Sequence, residues 1–434
     1  MNITKRHWFI LIVLSILSIA VWFKCTFVQL SFLDLSVNRS QALTVAQDLL
    51  KQSNIDYTQY KTATAFSFDQ KANQFLQKNV GISGLRSFID TYNFDMFYWI
   101  VRFYKEQEKE EHQVVISSKS AQVISYFIKL DENEARPTNT KAKAKEQALE
   151  FLRTTYDFDE SQYKQTRDLK TSLDNRDDFS FAWQHKDVNI PWSDTDDSKS
   201  KLITKITLAG NTIVAYSKSV FYTPDSFRRF ISLQRNTGNN FSSIVRIFDT
   251  ILLAAAVFFV VIRRNHLVMH TAKRFYIGTM AFILGLMIIS YINQYELVLH
   301  NYDTSVPFSS YLMRSCINYL LAAIVFAVYI IMPSLSGESI CHENNKTRTS
   351  DGLLHNLRST FLSRNVSQRI LVGYFAFFIM LGLQALITAI GQKYWNVWVE
   401  HSWMEDSSTA YLPFIAAFIV GFKASVSEEL LYRL

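Results

Sequence analysis

The residues best suited to chemistry stand at the end of the chain, where Glu428-Glu429-Leu430-Leu431-Tyr432-Arg433 follows the apolar run Tyr411–Phe422. An ionisable side chain at the centre of a bilayer costs roughly 2.5 to 3.5 kcal/mol on insertion scales, and less toward the interface. On a helix, Glu429 and Arg433 are i and i+4, about 40° apart, in the order that favours an ion pair. Glu428 is turned about 100° away. The spacing gives one carboxylate with its own counter-ion and one free to act, and a positioned carboxylate can take a proton from water. The same residues also fit a solvated helix end. A helix begun near Ser408 reaches Ser427 in about twenty residues at ~1.5 Å each, which leaves Glu428 at the far boundary of the hydrocarbon.

E-E-x-x-x-R in this setting resembles the first motif of the CPBP family, the CAAX-type prenyl endopeptidases and bacteriocin-processing membrane proteases. The resemblance implies an intramembrane endopeptidase acting on peptide or C-terminally processed protein substrates at the cytoplasmic side. It implies Glu428 as the general base that activates water, with Glu429 and Arg433 as the pair that holds its helix. Histidines from two later helices would complete the site, with a divalent metal such as zinc as the candidate cofactor. The family's F-x-x-x-H and H-x-x-x-N/D motifs lie downstream of the first, whereas this sequence runs to Leu434. The expectation is therefore a truncated chain carrying one third of such a site, without protease activity by itself.

Other chemistries find less support. His266 and His270 have i, i+4 metal-ligand spacing, but residue 267 is Leu where an H-E-x-x-H protease needs its glutamate. No G-x-S-x-G, Walker A or dinucleotide fingerprint occurs. The three cysteines, Cys25, Cys316 and Cys341, form neither a C-x-x-C motif nor a disulfide framework. The net charge of +7 is not gathered around any nucleic-acid-binding motif, so no nucleic-acid partner is expected. Within the apolar runs, Arg246, Asp249, Arg314 and Asn318 suit interfacial roles, and Gln384 lies deeper, where it can bond a neighbouring helix or line a cavity.

The elements that must position the acids follow from hydropathy. Hydrophobic residues make up 49% of the chain, with 34 Phe, yet the mean hydropathy is only +0.03. That combination indicates membrane and soluble parts in one chain. Behind Lys5 and Arg6, His7–Phe23 reads as an uncleaved signal anchor, since Val21-Trp22-Phe23-Lys24 is too bulky for a cleavage site. Further spans are expected at Ile244–Ile262, Phe275–Ile292, Tyr311–Met332 and Ile370–Ile390, and from Tyr411 into the terminal motif, six in all. Lysine and arginine collect before the first span, at Arg263, Arg264, Lys273 and Arg274, and again from Lys346 to Arg369. Residues 293–310 carry none, and 391–410 only Lys393. The positive-inside rule then puts the N-terminus in the cytoplasm of a multi-pass plasma-membrane protein and brings Glu428 to the cytoplasmic side.

The fold class expected is a polytopic α-helical membrane protein with an inserted extracytoplasmic α+β domain. Residues 1–32 form the anchor, 33–240 the outer domain and 241–434 the helical core. The outer domain shows a loose repeat, 33–136 and 137–240. Amphipathic helices at Ser40–Gln52 and Lys143–Arg153 each lead to tyrosines (Tyr57 and Tyr60; Tyr156 and Tyr163) and then to alternating strands. The strands are expected at Met96–Tyr104, Gln113–Ser118 and Gln122–Leu130, then at Phe179–Trp183, Leu202–Leu208 and Thr212–Val220, with Asp131–Thr140 as linker and Gly210-Asn211 as a hairpin turn. This arrangement resembles tandem PepSY-type modules, small extracytoplasmic domains linked to protease regulation; an unrelated α+β domain fits the pattern too. An extracytoplasmic ligand is the partner expected there, besides the substrate and the bilayer. Gly352–Arg369 reads as an amphipathic helix on the cytoplasmic leaflet. Two other functions compete with the protease. One is a non-enzymatic sensor or immunity-type protein whose outer domain binds a partner, and the other is a transporter, for which no repeat in the membrane half is found.

Overall fold

The computed structural model describes residues 4–29, 33–192, 198–266, 269–344, 363–398 and 403–432; for some of these, Val426–Tyr432 among them, the description stops at the backbone. Helix α1 (Lys5–Gln29) leads to α2 (Arg39–Gln52), β1 (Lys61–Phe68), α3 (Gln70–Tyr92), β2 (Phe97–Tyr104), β3 (Glu111–Ser117) and β4 (Val123–Lys129). Then come α4 (Lys141–Tyr156), β5 (Tyr163–Ser172), β6 (Asp177–His185), β7 (Lys201–Ala209) and β8 (Thr212–Tyr222). The strands make one antiparallel sheet in the order β1-β2-β3-β4-β8-β7-β6-β5. Each half is a four-stranded meander, and the halves join edge to edge through Ser125–Ser217, Tyr126–Tyr216 and Phe127–Ala215.

The halves repeat residue by residue. Helix α2 buries Ala42, Ala46 and Leu50, and α4 buries Ala144, Ala148 and Leu152, the same small–small–large series at i, i+4 and i+8. The alanines let each helix approach the sheet closely, and each buried leucine stabilises its helix by about 1.5–3 kcal/mol. Polar caps start both: Asn38 Oδ1 accepts from Gln41 N at 3.0 Å and Thr140 Oγ1 from Lys143 N at 3.3 Å. Both are followed by a single 3-10 turn opened by an aspartate, where Asp56 accepts from Thr58 N and Asp159 from Ser161 N. Helices and sheet share one core containing Trp99, Phe103, Phe181 and Trp183. The linker Asp131–Thr140 is fixed from the second half, where Arg176 Nη1 donates to Asp131 O at 2.6 Å and to Glu134 O at 2.9 Å.

Helix α3 breaks the symmetry. It lies between β1 and β2 with no counterpart between β5 and β6, and Gly81 (φ +70°, ψ −179°) splits it in two. A Cβ on Gly84 would fall 2.5 Å from Val80 Cβ, so the break requires glycine at that position as well.

Beyond β8 the chain is helical: α5 (Asp225–Ile262), α6 (Met269–Asn293), α7 (Tyr295–His300), α8 (Phe308–Asn344), α9 (Arg364–Trp395), α10 (Trp403–Thr409) and α11 (Pro413–Tyr432). Helix α5 begins at Asp225, so the boundary expected at 240 falls inside a continuous helix. Among the described residues five helices, α1, α5, α6, α8 and α9, are long and apolar enough to cross a membrane, against the six spans expected. The sixth stretch, α11, has 20 residues and is apolar over Pro413–Ser425. The chain thus combines apolar helices compatible with a multi-pass membrane protein with an α+β domain built on an eight-stranded sheet. Helix α1 runs against α9, where Ser15 Oγ donates to Phe375 O at 3.2 Å. A Cβ on Gly382 would meet Ser18 Cβ at 2.5 Å, the close approach that small residues allow between membrane helices. Helices α5, α6 and α11 pack around α8, with Ile283, Met287, Ala323, Ala327 and Ile330 forming the α6–α8 contact. Of the amphipathic helix expected at Gly352–Arg369, residues 352–362 lie outside the described residues, and Arg364–Arg369 instead form the first turns of α9.

Candidate functional site

Glu428 and Glu429 lie in the last turns of α11, which carries their backbone in helical conformation. Their side chains, and Arg433 altogether, lie outside what the structure describes. The preceding turns are fixed against α6 and α8: Ala416 and Ile419 are buried, and Phe422 meets Phe282 edge-on at 5.2 Å. Lys423, which sequence reasoning passed over, puts its Nζ 5.7 Å from the Phe326 ring centroid on α8. It is turned about 140° from Glu428 on the helix and so does not share its face. Its only mark in the sequence is a single lysine closing an apolar run.

At its other end α11 is tied into a junction with the sheet. Strand β1 is an edge, and an unprotected edge presents unpaired N–H groups. Here the outward N–H groups meet acceptors from the helical half. Thr64 N donates to Glu296 Oε2 (3.0 Å), Phe66 N to Thr409 Oγ1 (2.9 Å) and Phe68 N to Glu405 Oε1 (3.3 Å), with Ser67 Oγ also donating to Glu405 Oε1 (2.7 Å). The residues at 64, 66 and 68 alternate because period two turns every second amide away from β2.

Arg102 on β2 fastens the same region. Its Nε and Nη2 bind both oxygens of Glu111 at 2.5 and 2.8 Å, while Nη1 donates to His300 O at 2.8 Å and Tyr302 O at 2.6 Å. Tyr302, 1% exposed, is buried among Tyr104, Phe308 and Tyr311. Glu106 accepts from Phe308 N at 2.8 Å and so supplies a carboxylate to the first turn of α8. Arg39 from α2 donates to Thr409 O and, at 2.9 Å, to Ala410 O. Asn293 closes the arrangement. Its side chain accepts from Leu412 N (2.7 Å) and donates to Leu412 O (3.0 Å), joining the end of α6 to the start of α11.

The remaining candidates are not brought together. Among the described residues no group of three or more His, Cys, Asp or Glu converges in a way that could hold a metal. His266 ends a short 3-10 turn, and the side chain of His270 is not described. Gln384 is exposed on α9 instead of turned into a neighbour. A buried polar group that the sequence did not announce is His112, 2% exposed. Its Nδ1 lies 2.9 Å from Tyr126 Oη and its Nε2 2.9 Å from Glu110 Oε1, which also accepts from Tyr60 Oη at 2.8 Å. Burial holds the His112 pKa below the ordinary histidine value, and the bond to Glu110 opposes that shift.

Neither a protein-family model nor a curated protein matches this sequence. Among solved structures, the Bacillus megaterium YpeB C-terminal domain aligns with 42% of this chain at 12% identity and a TM-score of 0.24, and the chain spans 63% of that structure's length. The resemblance to the CPBP family therefore rests on Glu428, Glu429 and Arg433, and the likeness to PepSY-type modules on the repeated helix-and-strand pattern.

Proposed function

We propose that this chain is part of a membrane endopeptidase of the CPBP type, with Glu428 as the base that activates water. The supporting observation is the setting of the acid pair. Helix α11 begins at Pro413, later than the start expected near Ser408. It rises about 24 Å from Leu412 to Glu428 against ~30 Å of hydrocarbon, so in a spanning helix the acid stands short of the far boundary. In this reading Glu428 takes a proton from water and the oxygen attacks the carbonyl carbon of the scissile peptide bond. The proton passes to the leaving nitrogen as the C–N bond breaks, giving a carboxylate and an amine. Glu429 and Arg433 pair at i, i+4 and keep the helix from turning. Peptide or C-terminally processed protein is the substrate class, reached from the cytoplasmic leaflet of the plasma membrane, with the sheet domain outside the cell.

The test is Glu428→Gln in the protein as its gene encodes it, assayed in isolated membranes on lipid-anchored peptide reporters. Cleavage should fall at least about a hundredfold, the range of a lost general base, while insertion and abundance stay at wild-type levels. Proteolysis that survives the change refutes the assignment. A second reading, a sensor whose outer domain reports to the helices, is favoured by the side-chain capping of β1. It is separated from the first by an unaltered proteome of membrane-protein fragments when Glu428 is changed.

A further inference from the structure

A cavity of about 630 Å³ opens where the outward end of α1, the broken helix α3 and the end of α9 meet. Lys24, Arg86 and Lys393 line it, one from each helix, and no lining residue is acidic. All three are exposed, and among the described residues none has a carboxylate partner. The rest of the wall is largely apolar, from Val80, Ile82 and Ala389. Tyr394 and Trp395, each 66% exposed, stand beside it with Trp22 and Phe23, the aromatic residues that sit at the headgroup level of a bilayer.

Of the three cations only Lys393 lies in the last turn of its helix, where a plain alternative duty is to offset the partial negative charge of that end. At α9 that duty is filled by other groups. Lys78 Nζ donates to Trp395 O at 2.9 Å, and Val397 N donates to Gly391 O at 3.2 Å. Lys393, whose Nζ lies 5.4 Å from the Tyr394 ring centroid, keeps its N–H donors for the cavity beside Arg86 and Lys24. The break at Gly81 adds a further feature. It restarts a helix at the cavity wall, and the start of a helix favours an anion. Gln392 Nε2 is buried without a partner at the same wall.

We propose that this cavity binds the phosphate-bearing headgroup of an anionic phospholipid of the leaflet next to the sheet domain. The three cations and the α3 restart take the phosphate, and the apolar wall takes the first carbons of the acyl chains. The inference is independent of the acid pair on α11. Cys25, in the wall of the cavity, supplies the readout. The full chain is placed in nanodiscs of phosphatidylcholine, of phosphatidylcholine with phosphatidylglycerol, or of phosphatidylcholine with millimolar inorganic phosphate. Alkylation of Cys25 and of Cys316 is then followed by peptide mass spectrometry.

Phosphatidylglycerol should slow alkylation of Cys25 about fivefold or more and leave Cys316 unchanged, since a headgroup held by several cations occludes the thiol. The triple change Lys24→Gln, Arg86→Gln, Lys393→Gln should remove the protection, and Lys24→Arg, Arg86→Lys, Lys393→Arg should keep it. Equal Cys25 rates in both lipids, or protection that survives the glutamine substitutions, would overturn the proposal. Equal protection by inorganic phosphate would overturn the lipid assignment in favour of a soluble phosphate ligand.

Discussion

His112 gives the residue scale its sharpest test. Burial lowers its pKa in the fold, so the neutral ring is the form the folded domain accommodates. A group whose folded pKa lies below its unfolded value stabilises the fold at pH above the unfolded value, about 6.5, and that stabilisation is lost as the pH falls through the folded value. The sheet domain should therefore unfold at a lower temperature at pH 5 than at pH 7.5. His112→Gln, which keeps one polar contact and cannot ionise, should shrink that difference. Melting of the full chain followed by tryptophan fluorescence checks it, and an identical pH dependence in the variant would remove His112 as the cause. Gly210 gives a second residue-scale case. It opens the β7–β8 turn at φ +59°, and an added Cβ would lie 2.3 Å from Pro137 O. Gly210→Ala should cost at least about 1–3 kcal/mol, from backbone strain plus the clash with the linker, read as a lowered melting temperature. A neutral result would mean that the linker moves aside freely.

At the scale of elements, what could be read from the sequence depended on how each element earns its stability. Helices α2 and α4, strands β2, β3 and β4, and β6, β7 and β8 bury one face against a shared core, and that leaves a period of 3.6 or 2 in the sequence. Three elements left no such trace. Helix α3 buries Asn73, Gln74 and Gln77 beside Phe75 and Leu76, with Gln77 Nε2 bonded to Asn73 Oδ1 at 2.7 Å, so buried polar residues interrupt its apolar pattern. Strand β5 is almost wholly exposed, and β1 carries alternating small residues, Lys61-Thr62-Ala63-Thr64-Ala65. The acceptors for β1 come from residues more than two hundred positions away, a pairing that no local pattern encodes. For the same reason the acid pair was legible as an expense inside an apolar run, and the junction holding its helix was not. If that junction fixes β1, the triple change Glu296→Ala, Thr409→Val, Glu405→Ala should raise amide exchange at Thr64, Phe66 and Phe68. Each lost acceptor should cost about 1–3 kcal/mol of local protection. Exchange that stays slow would mean that β1 is protected by something other than these side chains. Arg102→Ala should act more strongly, about 3 kcal/mol, because it leaves Glu111 unpaired in a largely buried position.

For the whole molecule, the contacts of six helix ends impose one constraint. The sheet domain is met by the wall that α1 shares with α3, by Phe227 near the start of α5 against Phe75, and, just past the end of α6, by Glu296 of α7, which accepts from Thr64 N. It is also met by the start of α8 at Phe308, by the end of α9 at Trp395 and by the start of α11 at Tyr411, whose ring lies 5.0 Å from Arg39. Ends and starts alternate as a chain crossing back and forth requires. The opposite ends carry Lys5, Arg6, Arg263, Arg264, Lys273, Arg274, Arg364 and Arg369, the distribution that the positive-inside rule assigns to the cytoplasm. If that rule governs this chain, cysteines introduced at Asn54 and Asn301 in a background with Cys25, Cys316 and Cys341 changed to Ser should react with an impermeant maleimide in intact cells. A cysteine at Asn265 should react only after the membrane is opened. Should Asn301 behave like Asn265, the alternation fails and α11 need not span. Should all three report the reverse, the basic loops face outward, Glu428 lies on the extracytoplasmic side, and a base meant for substrates of the inner leaflet cannot reach them.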